Sequence, residues 1–391
     1  MLVPTHRGLR RGLTQRGSRA ACHDAGVTPP KGPRPPAAPM VAAVATALGA
    51  HSYPQEEITA AFGALVTPEP RDRALLERFH AATGVRHRHL ALPLADYADL
   101  DGFGAANAQF VTTAVHLAGD AVESALRRAG LKAGDVDLIV STTVTGVAAP
   151  SIDARLVGPL GLRLDVRRMP LFGLGCVAGA AGVARVADYL VGHPDDVAVL
   201  LSVELCSLTV QRDDSSVANL VASGLFGDGS AAVVMVGERR AAQLGLSGPT
   251  VQASRSRFFP DTERVMGWDV GGSGFRVVLA PTVADLVETH VGEDTKRFLA
   301  DHDLDIGDVR HWVAHPGGPK VLEALQRTLG VADNALAVTW DSLAEVGNLS
   351  SASVLHVLER TLHDHPAGEG DPAVMIAMGP GFCAEMVLLS W

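Results

Sequence analysis

From Asn107 to Gly130 the apolar positions Val115, Ala118, Val122, Ala125 and Ala129 recur every three to four residues, and Gly130 stops the run. That period puts them on one face of a helix, and glycine ends it because it tolerates the left-handed conformation of a helix cap. The pattern then changes. Asp137-Leu-Ile-Val-Ser-Thr-Thr143, Val197-Ala-Val-Leu-Leu-Ser-Val203 and Ala231-Ala-Val-Val-Met-Val236 are short, nearly continuous apolar runs. Such runs predict strands buried on both faces. The same reading predicts strands over 310–315, 373–378 and 384–390 and helices over 319–329 and 350–361. Strands alternating with helices define an α/β fold. Each half shows helix, strand, glycine-flanked loop and helix, so two related halves are expected, over 40–240 and 241–391.

One segment carries candidate chemistry. In Pro170-Leu-Phe-Gly-Leu-Gly-Cys-Val-Ala-Gly-Ala-Ala-Gly182 an apolar, strand-like run delivers Cys176 between glycines, and a helix-forming run from Ala180 to Leu190 follows. A tight strand-to-helix turn is predicted, with a helix N-terminus whose unpaired N–H groups and partial positive charge favour thiolate. Taken alone, the segment fits a small buried side chain as well as it fits a nucleophile.

Composition narrows the setting. The chain has 391 residues, 47% of them hydrophobic, and a mean hydropathy of +0.19. No apolar run is long and charge-free enough to span a bilayer. Cysteines 22, 176, 206 and 383 form no CxxC pair, which argues against a metal cluster or a disulfide scaffold and fits a reducing, cytoplasmic setting. The net charge of −10 is uneven. Residues 1–39 carry seven Arg/Lys against one Asp, and seven prolines, which predicts a disordered basic tail. Arg10-Arg11 hints at a twin-arginine signal, but no apolar stretch follows; Met40 is an alternative start. The acidic remainder argues against nucleic-acid binding.

A reactive thiol needs partners. His315 ends a predicted strand before Pro316-Gly317-Gly318-Pro319, a rigid turn leading to a helix. There it can serve as base or hydrogen-bond donor, or simply cap the helix. Asn348, in Val346-Gly-Asn-Leu-Ser-Ser-Ala352, also precedes a helix and alone reads as an N-cap. All three residues lie on loops between sheet and helix, and such loops converge on one side of an α/β sheet.

Five motifs then make a specific match. Gly175-Cys176-Val-Ala-Gly179, Leu225-Phe226-Gly-Asp-Gly-Ser-Ala-Ala-Val233, His315-Pro-Gly-Gly-Pro319, Gly347-Asn348-Leu-Ser-Ser351 and Gly379-Pro-Gly-Phe382 occur in the order and spacing of chalcone-synthase-like type III polyketide synthases. Residues 41–391 resemble that family, and the segments 203–209 and 266–275 are closer to its bacterial members. The resemblance implies a thiolase-like fold, two similar halves in a five-layer αβαβα sandwich, assembled as a homodimer. It also implies an acyltransferase whose substrates are an acyl-CoA starter and malonyl-CoA, with no other cofactor and no metal.

Carried over residue by residue, the resemblance makes Cys176 the carrier of the acyl chain as a thioester. His315 would hold it as thiolate, and His315 and Asn348 would stabilise the enolate left when malonyl-CoA loses CO2. Phe226 matches the gatekeeper between tunnel and cavity, and Phe382 is a further candidate lining residue. Arg78, assisted by Arg86 and Arg88, and Lys320 beside Gly317 would meet the CoA phosphates. Val144, Thr145, Cys206, Thr209, Trp268 and Ser350 would line the cavity. The apolar share of that lining predicts a medium or long fatty acyl starter and an alkylpyrone, alkylresorcinol or related aromatic product. The alternative is single condensation of the β-ketoacyl-acyl-carrier-protein synthase III kind. A thiolase would need Cys383 as a second catalytic cysteine, and its glycine context is missing. A cysteine hydrolase lacks its local signature, and an inactive scaffold is disfavoured by the intact Cys, His and Asn.

Overall fold

The predicted apolar runs become strands of a mixed sheet of nine. The computed structural model describes residues 38–391, apart from 68, 213, 365–367 and the side chains of 70 and 71. The predicted disordered tail, through residue 37, lies outside the described residues, and so does the arginine pair at its start.

The first half begins with β1 (Met40–Leu48), then β2 (His51–Pro54), α1 (Gln55–Val66), α2 (Pro70–Ala82) and β3 (His87–Leu90). It continues through the long α3 (Gly102–Arg128), β4 (Leu138–Thr143), α4 (Ile152–Leu160), β5 (Arg167–Phe172) and α5 (Ala178–Gly192). β6 (Val197–Leu205), α6 (Val217–Leu225), β7 (Asp228–Val236) and α7 (Glu238–Leu244) close it. The second half runs β8 (Thr250–Phe258), a hairpin of β9 (Met266–Gly271) and β10 (Gly274–Leu279), α8 (Val283–Leu286) and α9 (Gly292–Ala300). β11 (His311–Ala314), α10 (Pro319–Leu329), α11 (Ala337–Val346), α12 (Ser353–Asp364), β12 (Pro372–Gly379) and β13 (Cys383–Ser390) complete the chain. The expected boundary between 240 and 241 falls inside α7.

The halves repeat one topology. β4 lies parallel to β6, β6 antiparallel to β7, and β7 antiparallel to β1. In the same way β11 lies parallel to β12, β12 antiparallel to β13, and β13 antiparallel to β8. A single residue pair, Met40 with Thr250, joins the two sets where β1 meets β8. β5 is an edge strand paired only to β4, with Met169 42% and Phe172 55% exposed.

Alternation along the strands sorts side chains into three apolar layers. Val197, Val199, Leu201 and Val203 of β6 face α3, while Ala198 and Leu200 face α5. Ala373, Met375 and Ala377 of β12 face α12, while Val374, Ile376 and Met378 face the outer helices α9 and α10. A strand covered on both sides has no polar face, which is why these runs read as continuous rather than alternating. The arrangement is helix, sheet, helix, sheet, helix, with α5 and α12 buried in the middle layer. At Gly179 an added Cβ would lie 2.4 Å from the Ser351 carbonyl oxygen, so only glycine lets α5 approach the segment leading into α12 this closely.

β1 and β8 escaped the sequence reading. β1 was an apolar run without turn signals, and β8 carries the polar, exposed series Gln252, Ser254, Ser256 and Arg257. The helix predicted from 350 starts at Ser353, preceded by a 3₁₀ turn over Ser350–Ala352 in which Ser350 takes φ +50°. No helix of the described residues is long and apolar enough to cross a membrane.

Candidate active site

The middle-layer helices deliver two of the three candidate residues to one place. Cys176 sits in a 3₁₀ turn, Gly175–Val177, that runs directly into α5. Gly175 takes φ +58°, and a Cβ there would lie 2.6 Å from the Pro380 ring, so the turn requires glycine on both counts. Asn348 precedes the 3₁₀ turn into α12, the corresponding helix of the second half. His315 follows β11, its N–H donating to the Ile376 carbonyl at 2.9 Å and so extending the pairing with β12. Pro316 and Gly318 then turn the chain, and Pro319 opens α10 at the position where a missing N–H costs nothing.

All three line one cavity of about 780 Å³. Asn348 is held from every side. Its N–H donates to the Leu225 carbonyl, and its carbonyl accepts from the Gly227 N–H, both at 2.9 Å, clamping it beside Phe226. Its side-chain Oδ1 accepts from the Ser350 N–H at 2.7 Å and the Ser353 hydroxyl at 3.3 Å. Those donors fix the amide orientation and leave Nδ2 facing His315 Nε2 at 3.5 Å. Two nitrogens at that spacing can both donate to one oxygen between them. His315 Nδ1 has no hydrogen-bond partner.

The thiol of Cys176 donates to the Ser350 hydroxyl at 3.7 Å. Behind Ser350 lies Glu204, fully buried, which accepts from the Val144 N–H at 3.1 Å, the Thr145 hydroxyl at 2.8 Å and the Ser351 hydroxyl. Burial raises the Glu204 pKa, and these donors hold it down.

Electrostatics differ from the expectation of a preformed thiolate. Burial pushes the Cys176 thiol up to about 12, with the Ser350 hydrogen bond opposing and the Glu204 charge adding. Burial also drives the His315 imidazole down to about 3. The helix N-terminus is outweighed because a lone charge in this apolar cavity loses its water and gains no hydrogen-bonded counter-ion. Both groups are therefore neutral in the open cavity. It follows that alkylation of Cys176 by iodoacetamide should keep rising about tenfold per pH unit from 7 to 10, since thiolate is the reacting form below its pKa. A rate that levels off near pH 7 would show an ion pair with His315 instead.

Most other candidates line the same cavity: Val144, Cys206, Phe226, Trp268, Gly317 and Ser350 in its interior, and the exposed Arg78 and Lys320 at its mouth. Several do not. Thr145 spends its hydroxyl on Glu204 and the Leu205 N–H, and Thr209 donates to the Cys206 carbonyl at 2.7 Å, so neither lines the cavity. Arg88 is neither a surface charge nor near the mouth. It is 1% exposed, with Nε donating to Gln55 at 3.0 Å and a guanidinium N–H to the Phe226 carbonyl at 2.7 Å. Arg86 is exposed and away from the cavity. Phe382 packs into the outer core against Phe259, and Met378 and Pro380 of the same segment face the cavity in its place. Cys383 donates to the Pro380 carbonyl at 3.1 Å outside the cavity.

Sequence reasoning missed two apolar walls, Val277, Val278 and Leu279 of β10 and Val217 and Val221 of α6. The β9–β10 hairpin carried a usable signal, Gly271-Gly272-Ser273-Gly274 between two apolar runs.

Comparison with known proteins covers most of the chain. The sequence matches the family described as chalcone and stilbene synthases, with its N-terminal domain over residues 33–239 and its C-terminal domain over 250–390. It is 56% identical over 351 residues to the 1,3,6,8-tetrahydroxynaphthalene synthase of Streptomyces peucetius subsp. caesius, covering 90% of this chain and 93% of that protein. It is 30% identical to the alpha-pyrone synthesis polyketide synthase-like Pks18 of Mycobacterium tuberculosis, over 82% of this chain and 83% of that one. The crystal structure of the tetrahydroxynaphthalene synthase of Streptomyces coelicolor A3(2), a bacterial type III polyketide synthase, superposes with a TM-score of 0.84 at 31% identity, covering 90% of this chain and 99% of that chain.

Proposed function

Because the chain belongs to the chalcone and stilbene synthase family, the type III polyketide synthases, we propose that its cavity builds a tetrahydroxynaphthalene-type aromatic polyketide from malonyl-CoA. The observation that carries the chemistry is the meeting of the Cys176 thiol with the His315 and Asn348 nitrogens in one cavity. A tetrahydroxynaphthalene has ten carbons and four oxygens, which is what five two-carbon units leave once one ring closure expels water.

In this reading the neutral imidazole of His315 takes the proton of Cys176 as sulfur attacks an incoming CoA thioester, and returns it to the departing CoA thiolate. The acyl chain then rests on Cys176. Malonyl-CoA enters with its thioester oxygen between His315 Nε2 and Asn348 Nδ2. Loss of CO2 moves negative charge onto that oxygen, where the His315 Nε2–H and the Asn348 amide, the latter already fixed by Ser350 and Ser353, stabilise it. The enolate carbon attacks the Cys176 thioester, and the chain grows by two carbons. Arg78 and Lys320 at the mouth suit the phosphates of CoA.

A second reading keeps the fatty acyl starter. It is favoured by the apolar walls of β10 and α6, which offer an aliphatic chain a place to bury. Product analysis separates the two. With malonyl-CoA alone the purified protein is expected to release a tetrahydroxynaphthalene, detected by mass with its oxidised form. Turnover only when a fatty acyl-CoA is added would overturn the first reading. The exposed edge of β5, with Met169 and Phe172, supports assembly as a homodimer. Light scattering that gives the mass of one chain would refute that.

A further inference from the structure

Two walls of the cavity stand outside the nine-stranded sheet. One is the β9–β10 hairpin, with Met266, Trp268 and Val278; the other is the face of α6 that bears Val217 and Val221. The hairpin is a separate two-stranded sheet, so its ladder bonds do not set its distance from the rest of the fold.

Gln211 lies between these walls, in the connection from β6 to α6, and its side chain is buried. Nε2 donates to the Ser273 carbonyl at 3.2 Å and the Phe275 carbonyl at 3.3 Å, at the tip of the hairpin. It also donates to the Thr209 carbonyl at 3.0 Å. One amide nitrogen has two hydrogens, so the three oxygens share them and draw the hairpin against the 3₁₀ turn after β6. The main chain of Gln211 is gripped from the other wall. Asn219 of α6 donates from Nδ2 to the Gln211 carbonyl at 2.8 Å and to the Asp214 carbonyl at 2.7 Å. The Gln211 N–H points back to Asn219 Oδ1 at 3.5 Å. Among the described residues the other side-chain link between this connection and the hairpin is Arg276 with Asp214, 3.7 Å apart with Arg276 half exposed, a weak pair.

We infer that Gln211 is a positioning residue that sets the spacing of the hairpin from α6, and through it the number of units added before the chain cyclises. The inference rests on the reading that this cavity holds the growing chain. Gln211 does not line the cavity, and no step of the chemistry uses it. Its effect passes through Phe275, whose ring meets Trp268 at 6.1 Å and Phe103 at 5.4 Å, so a displaced hairpin tip carries the cavity aromatic with it. Misplacement of a reacting chain by about 1 Å can cost about 100-fold in rate, enough to divert an intermediate from one closure to another.

The test compares the wild-type protein with Gln211→Met, which removes the donor, and Gln211→Asn, which keeps the amide one methylene too short to reach both hairpin carbonyls. Each is incubated with malonyl-CoA, products are sorted by mass into two-carbon classes, and CO2 release is followed in parallel. The expected result is a fall of about tenfold in the ratio of the longest product to shorter lactones, with initial CO2 release within about twofold of wild type. An unchanged ratio, or loss of all products in proportion to lost folded protein, overturns the inference. If the wild type forms no polyketide from malonyl-CoA, with or without an acyl-CoA starter, the proposed function falls and the inference falls with it. If the wild type forms its products and both variants keep their ratio, the inference alone fails.

Discussion

Cys176→Ala should abolish polyketide formation, by about 1,000-fold or more, while release of CO2 from malonyl-CoA continues. Removing the sulfur removes the only atom in this reading that carries the chain. The decarboxylation donors are untouched, because Asn348 is fixed by Leu225, Gly227, Ser350 and Ser353 rather than by Cys176. Acetyl-CoA, the product of malonyl-CoA decarboxylation without condensation, should therefore accumulate. Chromatography of the CoA esters reads it directly. Unchanged product formation in this variant would remove Cys176 from the mechanism.

Asn348→Ala should show the opposite loss. CO2 release is expected to fall about 100- to 1,000-fold, the usual effect of deleting one donor to a developing oxyanion. Alkylation of Cys176 by iodoacetamide should persist within a few-fold, because the thiol bonds to Ser350 and not to the asparagine amide. The truncated side chain also strands the Ser350 N–H and the Ser353 hydroxyl, so the folded fraction must be measured alongside. Equal loss of both reactions, tracking the folded fraction, would assign Asn348 a structural part only.

Much of the site was legible because its chemistry sits on punctuation. Cys176 and His315 each stand at a glycine-marked passage from strand to helix, and Asn348, expected at another, stands at one from helix α11 to helix α12; at all three, side-chain type and turn chemistry coincide in a few consecutive residues. The residues that were misplaced stand on neighbouring turns and strands, where the burial direction is decided by contacts distant in sequence. Thr145 and Thr209 turn away from the cavity because Glu204 and the 3₁₀ turn after β6 use their hydroxyls. Arg88, in Arg86-His-Arg88-His, was expected to assist Arg78 at the CoA phosphates. It is buried because the pairing of β3 with β2 folds it beneath Phe226, where Nε donates to Gln55 and Nη1 to a backbone carbonyl while Nη2 has no partner. Phe382 follows a Gly-Pro-Gly turn that directs its ring into the outer core.

By itself the amino-acid order determined the alternation of strands and helices, the doubled plan and the three candidate side chains that the fold brings to one cavity. Each of these is written in local periodicity or in a short contiguous motif. The tertiary structure decided three further matters: that burial weighs against charge on the thiol and the imidazole, that the cavity takes apolar walls from β10 and α6, and that Gln211 hydrogen-bonds the hairpin to the connection before α6. Each depends on how much water is excluded, and on which groups meet across gaps of 33 to 174 residues along the chain. No local pattern records that.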